Sequence, residues 1–161
     1  MIKEMKKDDF IVSKTDTKGR LTYVNKIFME MAEYSEEELL GKPHSIIRHP
    51  DMPKAVFKLL WDYVKAGDEI FAFVINKTKN NNDYWVYANI TPSFDENKNI
   101  IGYYSVRRYP NPDAIAIIKP IYKKMLDAER SGGIEAGVRV LTEILNEKGV
   151  DYNELIIDIQ K

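Results

Sequence analysis

The rhythm of hydrophobic and polar positions changes several times along this chain, and each change marks an element. Phe10 to Thr15 is a short β-like run, Asp16 to Arg20 is a polar turn built on Gly19, and Leu21 to Val24 resumes the strand. Together they read as a hairpin. Asn25 can cap a helix over Lys26–Glu33, whose apolar face is Ile27, Met31 and Tyr34. Ser35-Glu36-Glu37-Glu38 is a capping-box pattern that opens a one-turn helix ending at Gly41. Lys42 to Pro53 holds three prolines, both histidines and Arg48, and reads as irregular with short turns. Pro53 suits a first helical position, and Val56, Leu59, Leu60, Tyr63 and Val64 follow at helical spacing until Gly67. Glu69 to Lys77, Tyr84 to Ser93 and Ile100 to Tyr109 are strand-like and joined by short polar turns, the pattern of an antiparallel meander.

Two strands, several short helices and three strands predict an α+β fold: a five-stranded antiparallel sheet with helices on one face. Pro110 and Pro112 break the last strand, so a boundary falls at Tyr109–Pro112, dividing a first unit, 1–110, from a C-terminal helical extension, 111–161. In the extension, Ala114–Ser131, Ile134–Lys148 and Tyr152–Ile159 read as helices, punctuated by Gly132-Gly133 and Gly149. Ile118, Ile121, Tyr122 and Met125, then Val138, Leu141, Ile144 and Leu145, form an apolar stripe. That stripe suits packing onto the sheet and suits a dimer or docking surface equally.

Composition narrows the function. A 44% hydrophobic and 30% charged chain reads as soluble and globular. Lys+Arg total 24 against 25 Asp+Glu, so no basic excess supports nucleic-acid binding. The absence of cysteine excludes disulfides, thiolate metal sites, a cysteine nucleophile and a cysteinyl–flavin adduct. Only His44 and His49 offer imidazoles, too few for a multi-histidine metal site. No run approaches the ~18 apolar residues of a membrane span, and Met1 to Asp9 shows no secretory pattern. The expected compartment is the cytoplasm, with no direct membrane insertion; any membrane association would come through a partner.

The order of elements, with Asn25-Lys26-Ile27-Phe28 and Tyr34-Ser35-Glu36-Glu37-Glu38-Leu39-Leu40-Gly41-Lys42-Pro43, resembles the PAS fold. Glu33 stands where that family places a glycine before the tyrosine. The stretch Pro43-His44-Ser45-Ile46-Ile47-Arg48-His49-Pro50-Asp51-Met52-Pro53-Lys54-Ala55 is similar to the flavin-binding PAS domain of aerotaxis receptors of the Aer type. Phe57, Trp61, Asn76, Tyr84-Trp85-Val86, Ala88-Asn89 and Gly102-Tyr103 extend the likeness from about Thr15 to Arg108. As a whole the chain is closer to the stand-alone PAS proteins of the CetB type, which work beside a separate membrane receptor in energy taxis. The resemblance implies non-covalent FAD between helices and sheet, and a redox state relayed by protein contact to a membrane-bound chemotaxis transducer. It carries the cofactor role to Asn25, Arg48, His49, Asp51, Trp61 and Asn76, and to His44 in second rank. In Aer-type domains a second tryptophan opens the strand after the long helix; here that position is Ile70, which opens a different cofactor pose or weaker retention.

The same residues also have readings of their own. Arg48-His49 before the Pro53 helix start can hold a diphosphate, since arginine and helix N-termini both attract anions. Asp51 would repel a phosphate; it suits a ribose hydroxyl, a helix cap, or an ion pair with Arg48. Asn76 can donate and accept at a flavin's amide-like edge, or satisfy a local loop. Asn25 faces the same choice, with capping the stronger local reading. Trp61 can stack on a planar ring or fill the core. Trp85 suits an outer sheet face, and Tyr84, Tyr87, Tyr103, Tyr104 and Tyr109 crowd the last two strands, part covered by the extension and part open to a partner. His44 and His49 also admit haem b, through one proximal ligand.

No catalytic constellation stands out: there is no Gly-rich phosphate loop, nucleophile elbow or metal-binding HExxH. The expected output is therefore conformational rather than enzymatic. A small flavin- or haem-dependent redox enzyme and a cofactor-free interaction module that uses the fold only as a surface for a homodimer are the competing classes.

Overall fold

A computed structural model describes all residues, 1–161. Six strands form one sheet: β1 (Ile2–Lys3), β2 (Ile11–Thr15), β3 (Leu21–Val24), β4 (Ile70–Lys77), β5 (Asp83–Phe94) and β6 (Ile100–Arg108). Between β3 and β4 lie α1 (Lys26–Ala32), α2 (Glu36–Leu39), a 3-10 turn (His44–Ile47) and α3 (Lys54–Lys65). After β6 come α4 (Pro112–Lys148) and α5 (Tyr152–Gln160). The five antiparallel strands of the sequence reading are present, β5 running between β4 and β6 and β2 between β6 and β3. The sheet is nevertheless not purely antiparallel. β1 pairs parallel with Asp83 and Tyr84 of β5, a sixth strand too short and too charged in its surroundings to carry a periodic signal. Tertiary contacts hold it: Lys3 Nζ donates to the Glu30 and Met31 carbonyls at the end of α1, at 2.9 and 3.1 Å.

The capping chemistry builds the helices as the sequence implies. Asn25 Oδ1 accepts from Phe28 N, and Ser35 with Glu38 completes a capping box. Glu33 ends α1 in the left-handed region at φ 64°, the conformation that favours glycine. Its carboxylate is held there by Lys3 at 3.4 Å and Asn82 Nδ2 at 3.0 Å, which offsets the strain. Helix α3 is different. Pro53 supplies no side-chain cap, and Asp51 does not cap it either. Instead Glu129, on α4, accepts from the Lys54 and Ala55 amides, each at 3.0 Å.

Helix α4 contains a sharp break at Gly133 (φ 72°, ψ −168°), a backbone state open in practice to glycine alone. The two helices expected on either side of Gly132-Gly133 are thus the two arms of α4. The break brings Gly137 over the Glu129 clamp, where an added Cβ would lie 2.5 Å from Glu129 Oε2 and 3.1 Å from Ala55 Cβ. The C-terminal segment grips the sheet from its outer side. Tyr122 donates to the Phe73 carbonyl at 2.6 Å and meets the Tyr152 hydroxyl at 3.1 Å. Asn153 of α5 accepts from Phe71 N at 2.8 Å and donates to the Glu69 carbonyl at 3.1 Å, covering the start of edge strand β4. Strand alternation sends Phe71, Phe73, Trp85 and Tyr87 to this outer face, where Trp85 stacks on Tyr122. The outer face of the β2–β3 end stays open, with Phe10 and Tyr23 about half exposed (49% and 46%).

Candidate functional site

The inner face of the sheet, the 3-10 turn segment and helix α3 bound a cavity of about 260 Å³. Alternation decides what faces it. From β2 come Ser13 and Thr15, from β4 Val74 and Asn76, from β5 Ala88 and Ile90, and from β6 Tyr103, Ser105 and Arg107. Helix α3 supplies the facing wall through Phe57, Leu60, Trp61 and Val64, spaced three or four residues apart on one helical side. The walls therefore form an apolar slot suited to a flat ring, with Trp61 set edge-on against Tyr103 at 5.3 Å between centroids.

Polar groups gather at one end of the slot. Arg107 is buried (3% exposed), and its Nη2 donates to Ser13 Oγ at 2.8 Å and contacts His44 Nε2. Its guanidinium also lies 5.2 Å from the centre of the Phe28 ring. Burial lowers its pKa to about 10, so it stays charged at neutral pH. Burial, with the positive charges of Arg107 and Arg48, pushes His44 down to about 3. The imidazole is therefore neutral, and its Nε2 accepts from Arg107. Burial likewise raises the Tyr84 phenol, so it too is uncharged. Two buried polar atoms have no partner at all: Arg107 Nη1 and Ser105 Oγ. Asn76, 4% exposed, is in the cavity wall at the end of β4, and its backbone bridges to Arg48.

The sequence-derived residues separate into two groups. His44, Arg48, Trp61 and Asn76 line the cavity. Arg48 lies with its guanidinium 4.3 Å from the centre of the Phe57 ring, not paired with Asp51. Asn25, His49 and Asp51 are not in the lining. Asn25 ties the hairpin to α1: it accepts from Val12 N at 3.1 Å and Phe28 N at 3.0 Å and donates to the Phe10 carbonyl at 2.9 Å. His49 is a buried clamp. Its Nδ1 accepts from Asp51 N at 2.9 Å, so Nε2 carries the proton and donates to Asp83 at 3.0 Å. The Asp51 side chain points to solvent, 75% exposed. Ile70 is fully buried opposite Ile90 and lies outside the lining.

The residues that sequence reasoning missed are Arg107, Ser105 and Ser13. A signal was present: inward alternation along β6 from Tyr103 places Ser105 and Arg107 on the core side, where a charge needs a reason.

Neither histidine offers a ring lone pair for axial ligation in this arrangement: His44 accepts from Arg107 at Nε2, which leaves the proton on Nδ1, and His49 uses both nitrogens. The donor set fits a flat heterocycle instead. Arg107 and Ser105 present unsatisfied hydrogen-bonding atoms, and the Asn76 amide can both donate and accept. The cavity volume, about 260 Å³, lies just below the range of about 300–1,000 Å³ common for small-molecule sites, enough room for a flat ring head but not for a longer tail as well.

Comparison with known proteins agrees with this architecture. The family model for the PAS fold matches residues 21–107. The chain is 38% identical over 133 residues to the aerotaxis receptor of Escherichia coli (strain K12), a match covering 83% of this chain and 26% of that protein. It therefore spans about a quarter of that receptor's length. Phototropin-1A of Oryza sativa subsp. japonica is 24% identical over 76 residues, 47% of this chain and 8% of that protein. Among solved structures, the light state of the blue-light photoreceptor Aureochrome1 LOV aligns at TM-score 0.60 and 20% identity, over 66% of this chain and 86% of that one. A PAS domain from Colwellia psychrerythraea aligns at TM-score 0.58 and 19% identity, over 62% and 85%. At these identities the structural likeness speaks for the fold.

Proposed function

The chain belongs to the PAS family, and within it we propose a redox sensor for energy taxis that holds FAD non-covalently in the cavity beneath α3. The observation that carries this reading is the pair of orphaned buried groups, Arg107 Nη1 and Ser105 Oγ, at the polar end of an apolar slot. A buried unpaired donor costs about 1–3 kcal/mol, more when charged, so their retention fits a ligand that completes them. The name of the 38%-identical relative, an aerotaxis receptor, supports the signalling role.

A bound flavin supplies a ring whose charge and protonation change on reduction. The chain's own residues give that change a route outward. Helix α3 forms one cavity wall, and its first amides are held by Glu129 of α4. Strand β4 carries Asn76 inward and, three residues earlier, offers its Phe73 carbonyl to Tyr122. Movement of either wall therefore reaches the C-terminal helices, which would present the state to a membrane-bound chemotaxis transducer from the cytoplasm. The output is contact, not turnover.

The test is the absorption spectrum of freshly purified protein with the released chromophore identified by chromatography. FAD near one per chain supports the reading. A Soret band would move the site to haem, and a colourless protein after reconstitution would leave an interaction module. Asn76→Ala should lower FAD content or uncouple signalling; no change in either would remove Asn76 from the relay. Steady turnover with a reductant and oxygen, far above free flavin, would favour an enzyme.

A further inference from the structure

The cavity has a second end, and its chemistry differs from the first. Along β6, Tyr103 is four residues before Arg107, about 13 Å away at strand rise. Tyr103 pairs with Thr15, the last residue of β2, so the turn that follows β2 closes the end opposite Arg107. That turn is rigid. Asp16 Oδ1 accepts from the Lys18 and Arg20 amides, both at 2.9 Å. Gly19 sits against Trp61, where an added Cβ would touch the ring at 3.4 Å. Lys18 itself lines the cavity. Lys65, four residues beyond Trp61 on α3, places its ammonium 5.5 Å from the centre of the same indole ring.

These two lysines lack carboxylate partners, although carboxylates stand nearby. Asp16 is engaged by Arg20 at 2.7 Å, and Asp62 by Lys58 at 2.7 Å. The cavity lining contains no acidic residue. Two cations without carboxylate partners therefore stand at this end of the slot, Lys65 over the Trp61 ring and Lys18 in the lining beside Gly19, which meets the same ring, about a ligand's length from the hydrogen-bonding end.

We propose that Lys18 and Lys65 form the anchoring site for the anionic phosphoester tail of an elongated ligand whose flat head is held at Arg107, Ser105 and Asn76. The inference rests on the flavin reading and specifies how the site separates phosphorylated flavins from the bare ring system. Riboflavin carries the head without a phosphoester, whereas FMN and FAD carry both, so the three compounds dissect the two ends.

The experiment is flavin titration of apoprotein by fluorescence, for the full chain and its Lys18→Glu/Lys65→Glu double variant, with Lys18→Ala as a milder second variant. Both side chains are solvent-facing, and a thermal melt checks that the variants fold. The expected result is a loss of FMN and FAD affinity of about tenfold or more in the charge reversal, with riboflavin unchanged within about twofold. Raising salt should weaken FAD binding to the full chain but leave riboflavin binding in place. Equal shifts for all three flavins, or no shift for any, would overturn the tail site while leaving a flavin protein. Failure of the unmodified chain to bind any of the three would overturn the flavin reading and the tail site with it.

Discussion

Two of the molecule's buried polar clusters are treated differently. Beneath the C-terminal helices, Tyr122 and Tyr152 are buried, bonded to each other, and anchored to the Phe73 carbonyl. Nearby, Glu129 satisfies two amides that α3 cannot cap for itself. In the cavity, Arg107 and Ser105 are buried just as deeply and are left incomplete. Polar groups that only hold the fold together can be fully matched by the fold. Those left unmatched mark where the chain expects something else to arrive. On the proposed function, the completed network serves structure and relay and the incomplete one serves recognition.

The largest expected effect that separates the two comes from Arg107→Met. Loss of a charged hydrogen bond to ligand should cost about 1.5–3 kcal/mol, lowering flavin affinity by about ten- to a hundredfold. The apoprotein should lose little stability by urea denaturation, because removing a buried charge that has no anionic partner offsets the loss of its bonds to Ser13 and His44. A large drop in apoprotein stability would make Arg107 a structural group like Tyr122. Conversely, Tyr122→Phe should destabilise by about 1–3 kcal/mol while flavin content per folded chain stays the same. Glu129→Ala should cost about 1–2 kcal/mol and speed amide exchange at the first turn of α3, with the rest of that helix little affected.

His44 sharpens the contrast through pH. Its pKa falls from 6.5 to about 3 on folding, so the folded protein keeps it neutral while the unfolded chain protonates it. The stability it contributes is fully present above about pH 6.5 and is lost as pH falls toward 3, at up to about 1.4 kcal/mol per pH unit. His44→Gln retains an acceptor for Arg107 and lacks the proton. Its urea midpoint should therefore fall less than that of the unaltered chain between pH 7 and pH 5. Equal slopes would show that His44 is not held neutral. The smallest effect is expected from Asn25→Ala, about 1 kcal/mol from the lost cap, with flavin content unchanged. A fall in flavin affinity there would return Asn25 to the ligand site.

The local parts of this architecture were legible in the sequence because local chemistry makes them. The Asn25 cap, the Ser35 capping box, the Gly133 break and the strand alternation each depend on a few neighbouring residues. What was not legible depends on distant partners. β1 exists because Asp83 and Lys3 find partners far along the chain. Asp51 reads as the cap of α3, yet that work falls to Glu129, about 75 residues away. The cavity divides in the same way. Asn76, Arg48, Trp61 and His44 could be placed by motif, whereas His49 carries the motif's chemistry but spends both nitrogens on Asp51 and Asp83. Arg107 belongs to no local pattern. Only its inward register on β6, opposite Ile11, sets it in the core.

The most direct test is the ultraviolet–visible spectrum of the freshly purified full chain, recorded beside that of Arg107→Met at equal concentration and followed by chromatography of the released chromophore. The unaltered chain should show flavin bands with FAD near one per chain, and the variant should be folded and largely colourless. A Soret band in the unaltered chain, no chromophore after reconstitution with flavin, or equal FAD in both proteins would contradict the assignment of the incomplete polar network to ligand recognition.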